Sequence, residues 1–217
     1  MAKKIPSIVK EIRNNPPSEI NFAYQKNISY SQMSIFRGCP HRWKLQYKDK
    51  IKKFTSSIHT VFGTAVHEAM QHYLDVAYEK SFAAADREIN IQEYFQEKYI
   101  GEYQTQYKKN NNSHFSDAAE MREFFEDGVA ILEWFKKKRS GYFSKKGTFL
   151  VGCEIPIIIP PNKMYNNVLY MGYLDVVTYN ERSDTFKIID IKTSTKGWNK
   201  FAKADEDKQY QLLLYKQ

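Results

Sequence analysis

"LYMGYLDVVTYNERSDTFKIIDIKTS", residues 169–194, decides how this chain is read. Two apolar runs flank the turn-rich "NERSD", which reads as a hairpin with strands at 168–180 and 185–193. Each strand carries an acid among apolar neighbours, Asp175 in the first and Asp190 in the second. If the strands pair, the two carboxylates come close. They then repel each other, and one stays protonated unless a cation lies between them. Lys192 follows Asp190 by two positions and so shares its face of the ribbon. A divalent metal resolves the conflict: Mg²⁺ is commonly held by one or two carboxylates, with water and substrate phosphate filling its octahedron. Such an ion polarises a phosphoryl oxygen and lowers the pKa of a bound water. Lys192 beside the scissile phosphate would orient the nucleophile and stabilise charge in the transition state. Taken alone, D-x-K is more often a structural ion pair at a strand end. Its surroundings shift that balance.

Working outward, a further strand is expected at 148–159, joined to the hairpin by "PPNKMYNN" and containing Glu154. Upstream the period is helical. Ser31 is the expected N-cap of a first helix, which Gly38 and Pro40 interrupt before a second short one reaches Tyr47. Phe62, Val66, Ala69, Tyr73 and Ala77 mark one apolar face of a helix over 61–79. Two more helices are expected near 91–108 and 117–138, joined by the polar "KKNNNSH". A last one begins near Asp205 and runs to the end. Helices, then three strands, then a helix define an α/β (α+β) class: a mixed sheet flanked by helices, with an N-terminal helical lobe. Residues 1–28 read as a loosely held basic arm, and 29–217 as one domain, helical over 29–140 and sheet-bearing over 147–217. Three strands and one helix make an incomplete core, so further strands are expected beyond residue 217.

The chain has 217 residues, 42% hydrophobic and 15% aromatic, a composition that argues against a disordered chain. Its net charge of +8 favours a polyanionic partner, of which nucleic acid is the commonest; the alternative is a basic soluble protein with no such partner. Two distant cysteines, Cys39 and Cys153, form no disulfide framework and suit a reducing compartment. The opening residues hold no apolar stretch of signal-peptide length, and no run approaches the roughly 20 apolar residues of a membrane span. The expectation is a soluble cytoplasmic protein with no membrane partner.

The ordered set of motifs resembles the RecB-like branch of the PD-(D/E)XK nuclease superfamily, which includes the RecB and AddB nuclease domains and CRISPR-associated RecB-family exonucleases. Gly63 and His67 match a G-x-x-x-H helix. Gly172 and Asp175 match a G-x-x-D strand. Asp190, Lys192 and Thr193 match D-x-K-T, and Gln211 and Tyr215 match Q-x-x-x-Y. Glu154 fits the acid that opens the first core strand, and Ser29, Ser31, Cys39 and Pro40 fit an early S-x-S…C-P segment. The resemblance covers residues 29–217. It implies a restriction-endonuclease-like core and metal-dependent hydrolysis of DNA, with exonuclease action on single strands or duplex ends. It places that action in recombination, repair or phage DNA processing, with protein partners from a recombination or replication complex. It implies His67, Asp175, Asp190 and the Ile191 carbonyl as ligands of Mg²⁺ or Mn²⁺, and Lys192 as the catalytic lysine. Glu154 would bind or tune the metal, and Gln211 and Tyr215 would hold the lysine region or the DNA backbone. The alternative is a catalytically idle nucleic-acid-binding or assembly module on the same fold.

Two features lead elsewhere. "HEAMQH" at 67–72 imitates a zinc-protease helix, but His67 and His72 are five positions apart, about 140° around the helix, and cannot chelate one zinc. Cys39 stands where some relatives place the first cysteine of an iron–sulfur cluster. It is the one candidate ligand, since Cys153 reads as core, and no cluster is expected. Finally, "RGCPHRWKLQYKDKIKKF" offers cations for phosphates and aromatics for unpaired bases; equally, its aromatics could be core while its lysines face water.

Overall fold

The computed structural model describes residues 4–15, 26–51, 55–159, 168–193 and 206–215. Its helices are α1 (Ser7–Asn14), α2 (Tyr30–Gly38), α3 (Pro40–Trp43), α4 (Ile58–Glu79), α5 (Phe82–Glu88), α6 (Ile91–Lys109), α7 (Ala118–Tyr142) and α8 (Glu206–Tyr215). A π-helical turn, Lys44–Lys48, follows α3. The strands are β1 (Lys26–Ser29), β2 (Thr148–Ile159), β3 (Val168–Asn180) and β4 (Thr185–Ile189).

The sheet is built on β3. The whole of β2 runs antiparallel along one edge. The other edge is shared: β1 pairs in parallel with Val168–Met171, and β4 pairs antiparallel with Val176–Asn180. Among the described residues, no strand covers 172–175 on that edge. The break falls where the neighbour changes from the parallel β1 to the antiparallel β4. Mixed strand directions flanked by helices are those of a restriction-endonuclease-like core, as the sequence implied.

Helix α4 is the central scaffold. Phe62, Val66, Ala69, Tyr73 and Ala77, the face expected from their spacing, are all buried. With α6 and α7 they form the main core, which reaches the sheet through Leu150 and Val176. Each large apolar side chain so buried stabilises the fold by about 1.5–3 kcal/mol. Phe149, Val151, Val177 and Tyr179 belong to a second cluster closed by Val9 of α1.

That helix corrects the expectation of a loosely held arm. Arg13 donates to the Leu150 and Val151 carbonyls, tying α1 to β2. The N-cap of α2 is Ser29, not Ser31: its hydroxyl accepts from Gln32 N–H, because β1 delivers an extended backbone there. Helix α5 falls in a stretch with no expected element, and Ser81 caps it by accepting from Ala84 N–H. The "KKNNNSH" connection turns through Asn111 and Asn112, both at φ +55, a conformation asparagine tolerates. Strands β2 and β3 have the expected bounds, whereas β4 ends at Ile189 rather than 193. The "PPNKMYNN" turn lies outside the described residues. Among those described, no helix is long and apolar enough to cross a membrane.

Candidate metal centre

The register places three acids in one row. Cys153 pairs with Val176 and Ile155 with Leu174, so Glu154 lies opposite Asp175. Val176 pairs with Ile189, and one step further along the same register sets Asp175 opposite Asp190. There the ladder stops, because the Asp175 side chain takes over. Its Oδ2 accepts from Ile191 N–H at 2.6 Å, which is why β4 ends two residues earlier.

The pleat inverts along this row. In a regular strand, residues i and i+2 share a face. Yet Cys153 packs with the helical core and Ile155 with the α1 cluster; likewise Val176 and Leu174 belong to opposite clusters. The residue between each pair is an acid of the row. Glu154 carries the distortion at φ +50, the left-handed region that favours glycine. A non-glycine residue there costs about 1–2 kcal/mol. Lys50, Asn111, Asn112 and Asp184 also have positive φ, but they lie in turns and connections.

Helix α4 brings the third donor. One ligand atom each from His67, Glu154 and Asp175 lie within 4.8 Å of one another. His67 Nδ1 stands 3.9 Å from Asp175 Oδ2. Around one Mg²⁺ opposed donors lie about 4.2 Å apart and adjacent ones about 3 Å, and three donors include at most one opposed pair, so the set closes on an ion with side-chain shifts of about 1–2 Å. Imidazole and carboxylate together suit a divalent first-row metal as well as Mg²⁺. Burial pushes the Asp175 carboxyl above its ordinary pKa. The Ile191 N–H and the His67 ring act in the opposite direction, and Asp190 adds repulsion. A cation would relieve both burial and repulsion.

Asp190 lies outside that close group of three. Lys192 Nζ approaches both its oxygens, at 2.8 and 3.0 Å. Gln211 Nε2 donates to Asp190 Oδ1 at 3.3 Å and to the Tyr215 hydroxyl at 2.7 Å. Gln211 and Tyr215 of α8 therefore act on the acid that anchors the lysine. The Tyr215 ring sits on β3 at Gly172, where an added Cβ would come within 3.1 Å of it. Gly63 similarly faces Thr193, at 3.4 Å from an added Cβ. The glycines of two motifs thus mark close approaches between elements: Gly172 of G-x-x-D meets Tyr215 of Q-x-x-x-Y, and Gly63 of G-x-x-x-H meets Thr193 of D-x-K-T.

The decoys separate. His72 stacks on Tyr94 with centroids 4.4 Å apart. Cys39 is exposed, and its sulfur accepts from Arg42 N–H at the start of α3. Burial first, then the nearby acids, push the Cys153 thiol up to about 12. In the basic segment, Trp43, Leu45 and Tyr47 are half-buried while Arg42, Lys44, Lys48 and Lys50 are exposed. Gln71 was not among the expected residues, yet its amide donates to Glu154 Oε1 at 2.8 Å and to the Asp175 carbonyl at 3.4 Å. Its one sequence signal is its place four residues after His67, on the same helix face.

The model of the PD-(D/E)XK nuclease superfamily matches residues 27–217. The chain belongs to that superfamily, whose members are typically metal-dependent hydrolytic nucleases. No curated protein and no solved structure matches it.

Proposed function

We propose that the chain is a RecB-like deoxyribonuclease that hydrolyses phosphodiester bonds with Mg²⁺ or Mn²⁺, acting as an exonuclease on single strands or duplex ends. One observation carries the reading: His67, Glu154 and Asp175 bring donor atoms within 4.8 Å of one another, and the Lys192–Asp190 pair follows directly in the same row. The order Gly63/His67, Gly172/Asp175, Asp190/Lys192/Thr193 and Gln211/Tyr215 supports the RecB-like branch, and residues 29–217 would form its nuclease domain.

His67, Glu154 and Asp175 would hold the cation. Asp190 would join them through the lone pairs that Lys192 and Gln211 leave free, with the Ile191 carbonyl as a further donor. When bound, the ion supplies Lewis-acid polarisation of a phosphoryl oxygen and a more acidic water. The Lys192 ammonium orients the nucleophile and meets the charge that develops on the phosphate. Gln211 and Tyr215 fix Asp190 and, through it, the direction of Lys192. The exposed Arg42, Lys44, Lys48 and Lys50 bind backbone phosphates. DNA processing in recombination, repair or phage replication follows from the branch, as do partners from such complexes.

The test is cleavage of linear and circular single-stranded DNA with Mg²⁺ or Mn²⁺, alongside Lys192→Ala and Asp190→Ala. Metal-dependent loss of the linear substrate alone, abolished in both variants, is the expected result. Cleavage of the circle would replace exonuclease by endonuclease action. DNA binding without cleavage would make the chain an idle binding module.

A further inference from the structure

Gln71 is a buried polar residue on a helix face otherwise given to the core. Burying an amide is unfavourable unless its hydrogen bonds are made. Here both N–H groups are used, one on the Glu154 carboxylate and one on the Asp175 carbonyl. A single side chain of α4 thus ties β2 to β3 at the point where the pleat inverts.

We propose that Gln71 is a positioning residue for the cation-holding set, clamping one oxygen of Glu154 and the β3 backbone at Asp175 so that the second Glu154 oxygen faces the ion. The inference rests on the proposal that His67, Glu154 and Asp175 hold a divalent cation.

Two features of the site call for such a clamp. Glu154 is exposed, so its long side chain otherwise samples many rotamers. Its backbone is also in a conformation that tends to relax toward an ordinary strand. Residue type decides the rest. A lysine or arginine at position 71 would neutralise Glu154 and compete with the cation, and an acid would repel it. A neutral amide holds the carboxylate by one N–H and leaves its charge for the metal. Partners of this kind, hydrogen-bonded to ligands, typically contribute about 10–100-fold to metal affinity.

The experiment is calorimetric titration of Mn²⁺ into the full chain, as wild type, Gln71→Met, Glu154→Ala and the double variant. The expected result is affinity about 10–100-fold weaker in Gln71→Met. In the Glu154→Ala background the same change should alter affinity by less than about twofold, because the group to be held is gone. A merely structural role would instead give independent, multiplying losses. Gln71→Asn, one methylene too short to reach Glu154, should reproduce the loss and replaces Gln71→Met if that variant does not fold by circular dichroism. Wild-type affinity in Gln71→Met or Gln71→Asn, or multiplying losses in the double variant, overturns the assignment. If wild type binds Mn²⁺, Asp175→Ala does not and Gln71→Met is unaffected, the role of Gln71 alone falls. If wild type binds no Mn²⁺, the metal centre falls with it.

Discussion

Replacing Glu154 by glycine and by alanine separates what its backbone costs from what its carboxylate does. Both variants remove the carboxylate and its bond to Gln71; they differ only in the Cβ. At an ordinary strand position, glycine is less stable than alanine by about 0.5–1 kcal/mol. At φ +50, alanine keeps a penalty of about 1–2 kcal/mol that glycine does not feel. The balance reverses, and Glu154→Gly should exceed Glu154→Ala in stability by about 0.5–1 kcal/mol, roughly 1–4 °C in Tm for a chain of this size. Metal-free thermal and urea unfolding of the two variants measures the difference. Mn²⁺ titration of the same samples should show both binding far more weakly than wild type. Alanine as stable as glycine would refute the pleat inversion, and wild-type Mn²⁺ affinity in either variant would refute Glu154 as a donor.

Lys192→Met takes the ammonium from a largely buried Asp190 that keeps only its Gln211 bond, so stability should fall by about 1–3 kcal/mol while DNA cleavage falls about 10²–10³-fold. Cleavage at the wild-type rate would exclude the lysine from the chemistry. Gly128→Ala should destabilise the fold by about 1–3 kcal/mol, although alanine is the better helix former, because its Cβ would lie 2.2 Å from the Phe95 ring; a gain in Tm would contradict the close approach of α6 and α7. With a thiol reagent near pH 8, Cys39 should react at once and Cys153 should not. Burial raises the Cys153 pKa above its unfolded value, so the folded chain favours the thiol and loses that stability only as pH climbs toward about 12. Two rapid equivalents of thiol in the folded protein would refute this.

Most of the sheet was legible because its strands alternate turn residues with apolar runs, and β2 and β3 fall within the expected bounds. The end of β4 was not, since it depends on a long-range bond from the Asp175 carboxylate to Ile191 N–H. The short "KNIS" of β1 gains its place from parallel pairing with β3, which no local pattern announces. Helix α1 left a signal, with Ile5, Val9 and Ile12 at helical spacing, which its basic and proline-rich surroundings obscured. At the site, the motif residues could be read by order and spacing. The close grouping of Glu154 with His67 and Asp175, ahead of Asp190, could not, because it requires a backbone turned left-handed inside a strand.

Crystals grown with Mn²⁺ and measured at its absorption edge would locate the cation itself. One strong anomalous peak is expected about 2.0–2.3 Å from a His67 nitrogen and from Glu154 and Asp175 oxygens. A peak bound elsewhere, or none between α4 and the row of acids, would contradict a metal centre at these residues.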